Sequence, residues 1–192
     1  MCLFVVTQKQ NKMKLKNLVP VLLLAVLISA PSFASNTDPI KNKNEKTIVS
    51  LAASNDAFST LVAAVKAAGL VDVLNSKGPF TVFAPVNDAF NKLPEGTVAS
   101  LLKPENKKML TSILTYHVVS GKFMAKDVVN AIKKNNGKFV IKTVQGGKLT
   151  ASLKGGKVIL TDEKGNISTI IITDVNASNG IVHAIDSVVM PE

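Results

Sequence analysis

Gly78-Pro79-Phe80-Thr81-Val82-Phe83-Ala84-Pro85-Val86-Asn87-Asp88-Ala89-Phe90 holds a turn, a strand and the start of a helix in one short run. The Gly-Pro pair opens it. Phe80 to Ala84 alternates apolar and β-branched side chains as a buried strand does, and Pro85, which has no N–H to donate to a ladder, closes it. Asn87 and Asp88 are N-cap residues whose side-chain oxygens can accept from free backbone N–H groups, and Ala89, Phe90 and Leu93 follow at helical spacing. A strand that runs through proline into a capped helix is a corner, and it fixes how a sheet layer meets a helical one.

Upstream of this corner the pattern is helical. Thr47 is placed to cap a short helix through Ala53, and Asn55 or Asp56 to cap a second, with Phe58, Leu61, Val62, Val65 and Ala68 on one face and Gly69 at its end. Leu70 to Leu74 reads as one more apolar turn of helix. Downstream, Pro94 and Gly96 mark a turn, Thr97 caps Val98 to Leu102, and Pro104 opens a helix expected to bury Met109, Leu110, Ile113 and Leu114. That helix delivers Tyr116 and His117 into Val118-Val119 and a Ser120-Gly121 turn. A small helix around Asp127 to Ile132 follows.

From Lys138 the period changes to two. Phe139–Val144, Leu149–Leu153, Val158–Leu160, Ile167–Thr173 and Ile181–Met190 are separated by Gly146-Gly147, Gly155-Gly156, Lys164-Gly165 and Asn179-Gly180, the turn spacing of an antiparallel meander. In Asn179-Gly180 the glycine is read as supplying a positive φ. Asp162-Glu163-Lys164-Gly165-Asn166 resembles a calcium loop only loosely, since its glycine falls one place early and the distal Glu is missing, so it reads as a hairpin turn. Helices first and a meander later, without an internal repeat, predict one α+β domain over residues 47–191.

The start of the chain has its own chemistry. Lys12, Lys14 and Lys16 precede the apolar run Leu18–Ile28, and Ser32-Phe33-Ala34 supplies small residues for cleavage, so residues 1–34 read as a secretory signal peptide. The run is short of the roughly 20 apolar residues a membrane span needs. Met13 followed by Lys14 makes a more usual start than Met1, which would leave residues 1–12 as an upstream extension. Residues 35–46 are polar, with Pro39, and read as a flexible leader. The one cysteine, Cys2, precedes the cleavage site, so the mature chain forms no disulfide and relies on its core alone.

All 23 basic residues are lysine. Four precede the cleavage site, leaving 19 against 13 acids, a net charge of +6 for the mature chain. Arginine, the group suited to bidentate contacts with phosphate and bases, is absent, and one Tyr with no Trp leaves nothing on which bases would stack, so nucleic acid is not expected as a partner. The lysines read first as a solvated face, and second as an anion-binding patch for polysaccharide or lipid headgroups.

His117 and His183 are the only histidines. Paired with Asp88 or Asp186 they would make a base and its orienter, the basis of a hydrolase reading. The plainer expectation is that Tyr116, His117, Asp88 and Asp186 satisfy one another inside the core. No nucleophile elbow, phosphate loop or zinc-protease helix is present, and two histidines without cysteine make a thin metal shell, so neither enzyme, metal nor cofactor is expected.

Three ordered blocks carry a resemblance. Thr81, Phe83, Ala84, Pro85, Asn87, Asp88, Ala89 and Phe90 form the first, Tyr116 and His117 the second, and Asn179, Gly180, His183, Ile185, Asp186 and Pro191 the third. In this order, over about Thr47 to Pro191, the chain resembles the fasciclin (FAS1) domain family. The resemblance implies a twisted, mainly antiparallel β-sheet wedge packed by N-terminal α-helices. It also implies a secreted, non-enzymatic adhesion or binding module in the periplasm or outside the cell, whose partner is a cell-surface or matrix protein or polysaccharide. Some fasciclin-like proteins bind carotenoids, which makes a carrier of an apolar small molecule the alternative.

Overall fold

The corner is where the sequence puts it: β1 (Phe80–Pro85) ends at the proline and α4 (Asn87–Asn91) begins two residues on. The computed structural model describes residues 46–192, so the signal-peptide and leader readings lie outside the described residues, Lys46 excepted. Upstream, α1 (Ile48–Ala53) starts at Thr47, whose side chain accepts from Ser50 N at 3.2 Å. Asn55 accepts from Ala57 N at 3.0 Å and starts the 3-10 turn Asp56–Phe58, which runs into α2 (Ser59–Ala68). Gly69, at φ 73°, stops α2 in the left-handed conformation that only glycine adopts without strain, and α3 (Val71–Asn75) follows.

Beyond the corner come α5 (Thr97–Leu101), α6 (Lys107–Tyr116), β2 (Val118–Ser120) and α7 (Ala125–Lys134). The meander is β3 (Lys138–Lys142), β4 (Lys148–Lys154), β5 (Lys157–Thr161), β6 (Ile167–Ala177) and β7 (Gly180–Ile185). Among the described residues these strands make one seven-stranded sheet in the order β2-β1-β7-β6-β5-β4-β3. Every neighbouring pair is antiparallel except β1 and β7, which run parallel from Phe80↔Gly180 to Pro85↔Ile185. The sheet is therefore mixed, and the last strand is stitched to the first through its centre.

Alternation along β1 and β7 sends side chains to two cores. Val82, Ala84, Val182 and Ala184 face α1 to α6, meeting Leu61, Val65 and Leu114 there. Phe83 and Ile185 point the other way, into a second cluster where Val128 and Ile132 of α7 pack on Ile141, Leu149 and Leu160 of the meander. Each large aliphatic so buried stabilises by about 1.5–3 kcal/mol. The meander thus curls over one side of the central strands while the helices cover the other.

Several local expectations are corrected by the structure. Asn87 and Asp88 do not cap their own helix: Val86 occupies that position without a side-chain bond, because the Asn87 amide is used elsewhere and Asp88 points into solvent. Thr97 is likewise the first residue of α5, whose N-cap is Gly96. Met109 is 58 % exposed, since α6 turns only Leu110, Ile113, Leu114 and Tyr116 inward. β6 runs on to Ala177 through two irregularities in its pairing with β7, which break the strict alternation a sequence reading follows. Gly180 is not at positive φ. A Cβ there would drive into the carbonyl oxygen of Phe80 and the Ile48 side chain, so glycine is required for the close approach of β7 to β1.

Candidate functional site

The family-block residues converge on the central strand pair and its two ends, and nearly all their polar atoms face backbone. Thr81 on β1 is fully buried, donating from Oγ1 to Gly121 O at 2.7 Å and accepting from Phe123 N at 2.9 Å, so it ties down the turn after β2. His183 lies directly opposite Phe83 in the register of β1 and β7 and is stacked on it, with ring centroids 5.8 Å apart. Its Nδ1 accepts from Asp174 N at 3.2 Å and its Nε2 donates to Phe123 O at 2.8 Å.

His117 ends α6 under the helical layer, 2 % exposed. Ile113 O lies 2.8 Å from its Nδ1 and can only accept, so the proton is there, and Nε2 accepts from Val189 N at 3.3 Å. Desolvation pushes its pKa down to about 4 and keeps the ring neutral. Neighbouring Tyr116 is fully enclosed, donating from its hydroxyl to Lys148 O at 2.6 Å and accepting from Glu163 N at 3.3 Å. Burial first, and then the charge of Glu163, push this phenol up to about 12. Tyr116 thereby pins the turn before β4 to the turn after β5.

Asn87 is a clasp between the corner and α2. Its Oδ1 accepts from Thr60 N at 3.1 Å and its Nδ2 donates to Asp56 O at 2.8 Å. Ala89, with no exposure, and half-buried Phe90 fit beneath the same helices. Asn179 does the same work at the other end of the sheet, accepting at Oδ1 from Ile48 N at 3.0 Å and donating from Nδ2 to Leu74 O at 2.6 Å and Ser76 O at 3.1 Å. Replacing Asn179 with Ala leaves these backbone groups unpaired, and about 1–3 kcal/mol of stability should go with them. Asn179→Asp should cost at least as much, because a carboxylate would then face two carbonyl oxygens. Chemical denaturation of the two variants checks the order.

Asp186, at the end of β7, is half-exposed and accepts from Thr169 N at 2.8 Å and Ser187 Oγ at 3.1 Å. Burial pushes its carboxyl up, but these bonds and the Lys92 ammonium 3.6 Å away outweigh it and hold the group below the ordinary carboxylate range. Pro191 is buried beyond it. Tyr116, His117, Asp88 and Asp186 therefore do not satisfy one another, contrary to expectation: each buried group takes a backbone partner from a different element. The two imidazoles share no partner, and every ring nitrogen is committed to backbone, which leaves neither imidazole free to meet a substrate. Among the described residues no three His, Cys, Asp or Glu side chains come together.

Two groups escaped the sequence reading. Asp174, at φ 58°, orders the entry to α7 by accepting from Ala125 N at 2.8 Å. Asp162, read as a hairpin residue, does close that turn by accepting from Asn166 N at 2.8 Å, and it also reaches the C-terminal segment through Met190 N at 3.0 Å. An acid followed by Gly three residues on signals only the first role. Between the helices and the sheet lies a cavity of about 30 Å³ lined by Leu61, Val65, Val82 and Leu114. That is room for about one water-sized sphere, against several hundred cubic ångströms for a site that encloses a drug-sized molecule. The core gives an apolar carrier no support. No helix among the described residues is long and apolar enough to cross a membrane.

A helix-covered sheet whose polar motif residues are turned inward as braces defines a scaffold domain, with the outside left for contact. The model of the Fasciclin domain matches residues 56–191, and the chain belongs to that family. It is 54 % identical over 145 residues to Protein sll1483 of Synechocystis, covering 76 % of this chain and 73 % of that protein. It is 34 % identical over 189 residues to the immunogenic protein MPB70 of Mycobacterium bovis, with 88 % and 89 % covered. Among solved structures it is similar in fold to a FAS1 domain pair of the insect cell adhesion molecule fasciclin I, with a TM-score of 0.66 and 21 % identity over 74 % of this chain and 50 % of that one.

Proposed function

We propose that this protein is a secreted, non-enzymatic binding module that works at the cell surface or in the extracellular matrix, in the periplasm or outside the cell. Residues 1–34 direct export, 35–46 form a leader, and 47–191 are the binding domain. The observation that carries the reading is the inward commitment of the motif: Thr81, Tyr116, His117, Asn179 and His183 all spend their polar atoms on this chain's own backbone. A domain whose titratable groups are braces offers partners its surface, and that surface is rich in lysine. The cell-adhesion role of the insect protein of like fold supports the same conclusion. A cell-surface or matrix protein or polysaccharide is the partner, and no nucleic acid.

The test is capture. Protein expressed from the full reading frame should bring down a component of its host's envelope or exported matrix, with partial release at high salt as lysine contributions are screened. Recovery of the protein free of any envelope or matrix component would overturn the reading.

A further inference from the structure

The helical layer stops at the far end of β6, where Val175 and Ala177 still pack against it. Beyond, on the side of β3, β4 and β5 opposite α7, the sheet is bare, with Val140 at 55 % exposure. The strand registers place Lys138, Val140 and Lys142 of β3 on this side. They place the even-numbered residues of β4 and the odd-numbered residues of β5 beside them. Of the ten outward positions on these strands five are lysine and none is acidic.

The lysines are arranged as facing pairs. Lys142 stands directly opposite Lys148, and Lys154 directly opposite Lys157. Like charges across a ladder destabilise it. Glu163 stands beside the first pair, but its carboxylate accepts from the Lys148 backbone N at 3.1 Å. Among the described residues the single ion pair is Lys92–Asp186, so none of the five lysines has a carboxylate at ion-pair distance there. Guarding an edge against aggregation accounts for charge on β3, which is the edge strand, but Lys148, Lys154 and Lys157 lie on interior strands. The two pairs stand at opposite ends of β4, about 20 Å apart along the strand. Thr150, Ser152 and Thr161 present hydroxyls between them, with Val140 and Ile159.

We propose that this face binds an extended anionic polysaccharide. Its acidic groups sit between the lysines of each pair and relieve their repulsion, while the intervening sugars hydrogen-bond to the hydroxyl row and lay their C–H faces on the short aliphatics. A lipid surface fits less well, because hydroxyls pressed into it would lose water without gaining partners. The inference rests on the binding-module reading and names the surface and the chemistry of its partner.

Immobilised polygalacturonate is the probe, with neutral dextran and phosphatidylglycerol vesicles beside it. The full chain should be retained on polygalacturonate and not on dextran, and be released by salt. Lys142→Ser with Lys148→Ser, and Lys154→Ser with Lys157→Ser, should each weaken retention at least about tenfold. Lys66→Ser with Lys103→Ser, away from this face, should not. Both face variants should melt no lower than the parent, since each removes a like-charge pair, so a loss of binding cannot be a loss of fold. Retention of the fourfold variant at the parent level, absence of retention of the parent, or binding to the vesicles alone would each overturn the proposal. If the fourfold variant still captures the host component as the parent does, the face is wrong and the binding module stands. If the parent captures none, the module reading itself fails.

Discussion

Gly180→Ala should remove about 3 kcal/mol or more of stability, a large share of the 5–15 kcal/mol a domain usually has. The reason is steric rather than conformational. Gly180 has no positive φ, so alanine meets no backbone penalty of its own. Its Cβ instead enters space held by the Phe80 carbonyl and the Cδ1 of Ile48, and a carbonyl locked in a parallel ladder cannot swing aside as a side-chain tip does. Separating β7 from β1 would weaken the one parallel pairing among the described strands and pull both cores apart. A fall in Tm on the order of 10 °C is expected. Gly96→Ala is the matched comparison: Gly96 has φ 79° and open space around it, so the cost there is conformational and should be about 1 kcal/mol. Equal melting of Gly180→Ala and the parent would show that the strands can part freely at this point.

The second large effect couples His117 to acid. In the folded chain its pKa is lowered to about 4 by burial, against an ordinary 6.5. Below pH 6.5 the unfolded chain takes up a proton that the folded ring refuses, so the His117 contribution is intact above that value and is lost as pH falls toward 4. Between pH 7 and pH 4.5 the loss amounts to about 2–3 kcal/mol. Asp186, also held below its ordinary range, adds a further loss only at more acidic pH. His117→Leu should be less stable at pH 7 by about 1–3 kcal/mol, because Val189 N loses its partner and Ile113 O keeps only the backbone N–H of residue 117. The variant should then close most of that gap on acidification, having no proton to refuse. Urea unfolding of both proteins across this range measures it, and parallel pH profiles would mean the ring is solvated in the folded state. Asp88, exposed at the first turn of α4, should tolerate replacement by Ala with little change, unlike the braces.

Local signals were legible where they concern near neighbours along the chain. Thr47 and Asn55 cap the helices they precede, Gly69 ends α2, and the glycine-punctuated run after Lys138 is the meander it resembles. The α+β class and the three motif blocks follow from the same short-range patterns. Where the outcome depended on a distant partner, the residue type was right and its use was not: Asn87 has the chemistry of a cap and spends it 27 residues back, on Thr60. Likewise Asn179 looks like half of a turn and proves to hold Leu74, 105 residues away.

By itself, then, the order of residues determined the secondary elements, the lysine-only basicity and the family to which the domain belongs, because periodicity, capping and motif spacing act over a few residues. Tertiary structure alone decided that β7 lies parallel to β1, that four polar motif side chains never meet one another, and that five lysines gather on one face with no ion-pair partner among the described residues. Those are consequences of which strand pairs with which and in what register, and a one-residue slip, invisible to local pattern, would have turned every one of those lysines to the other side.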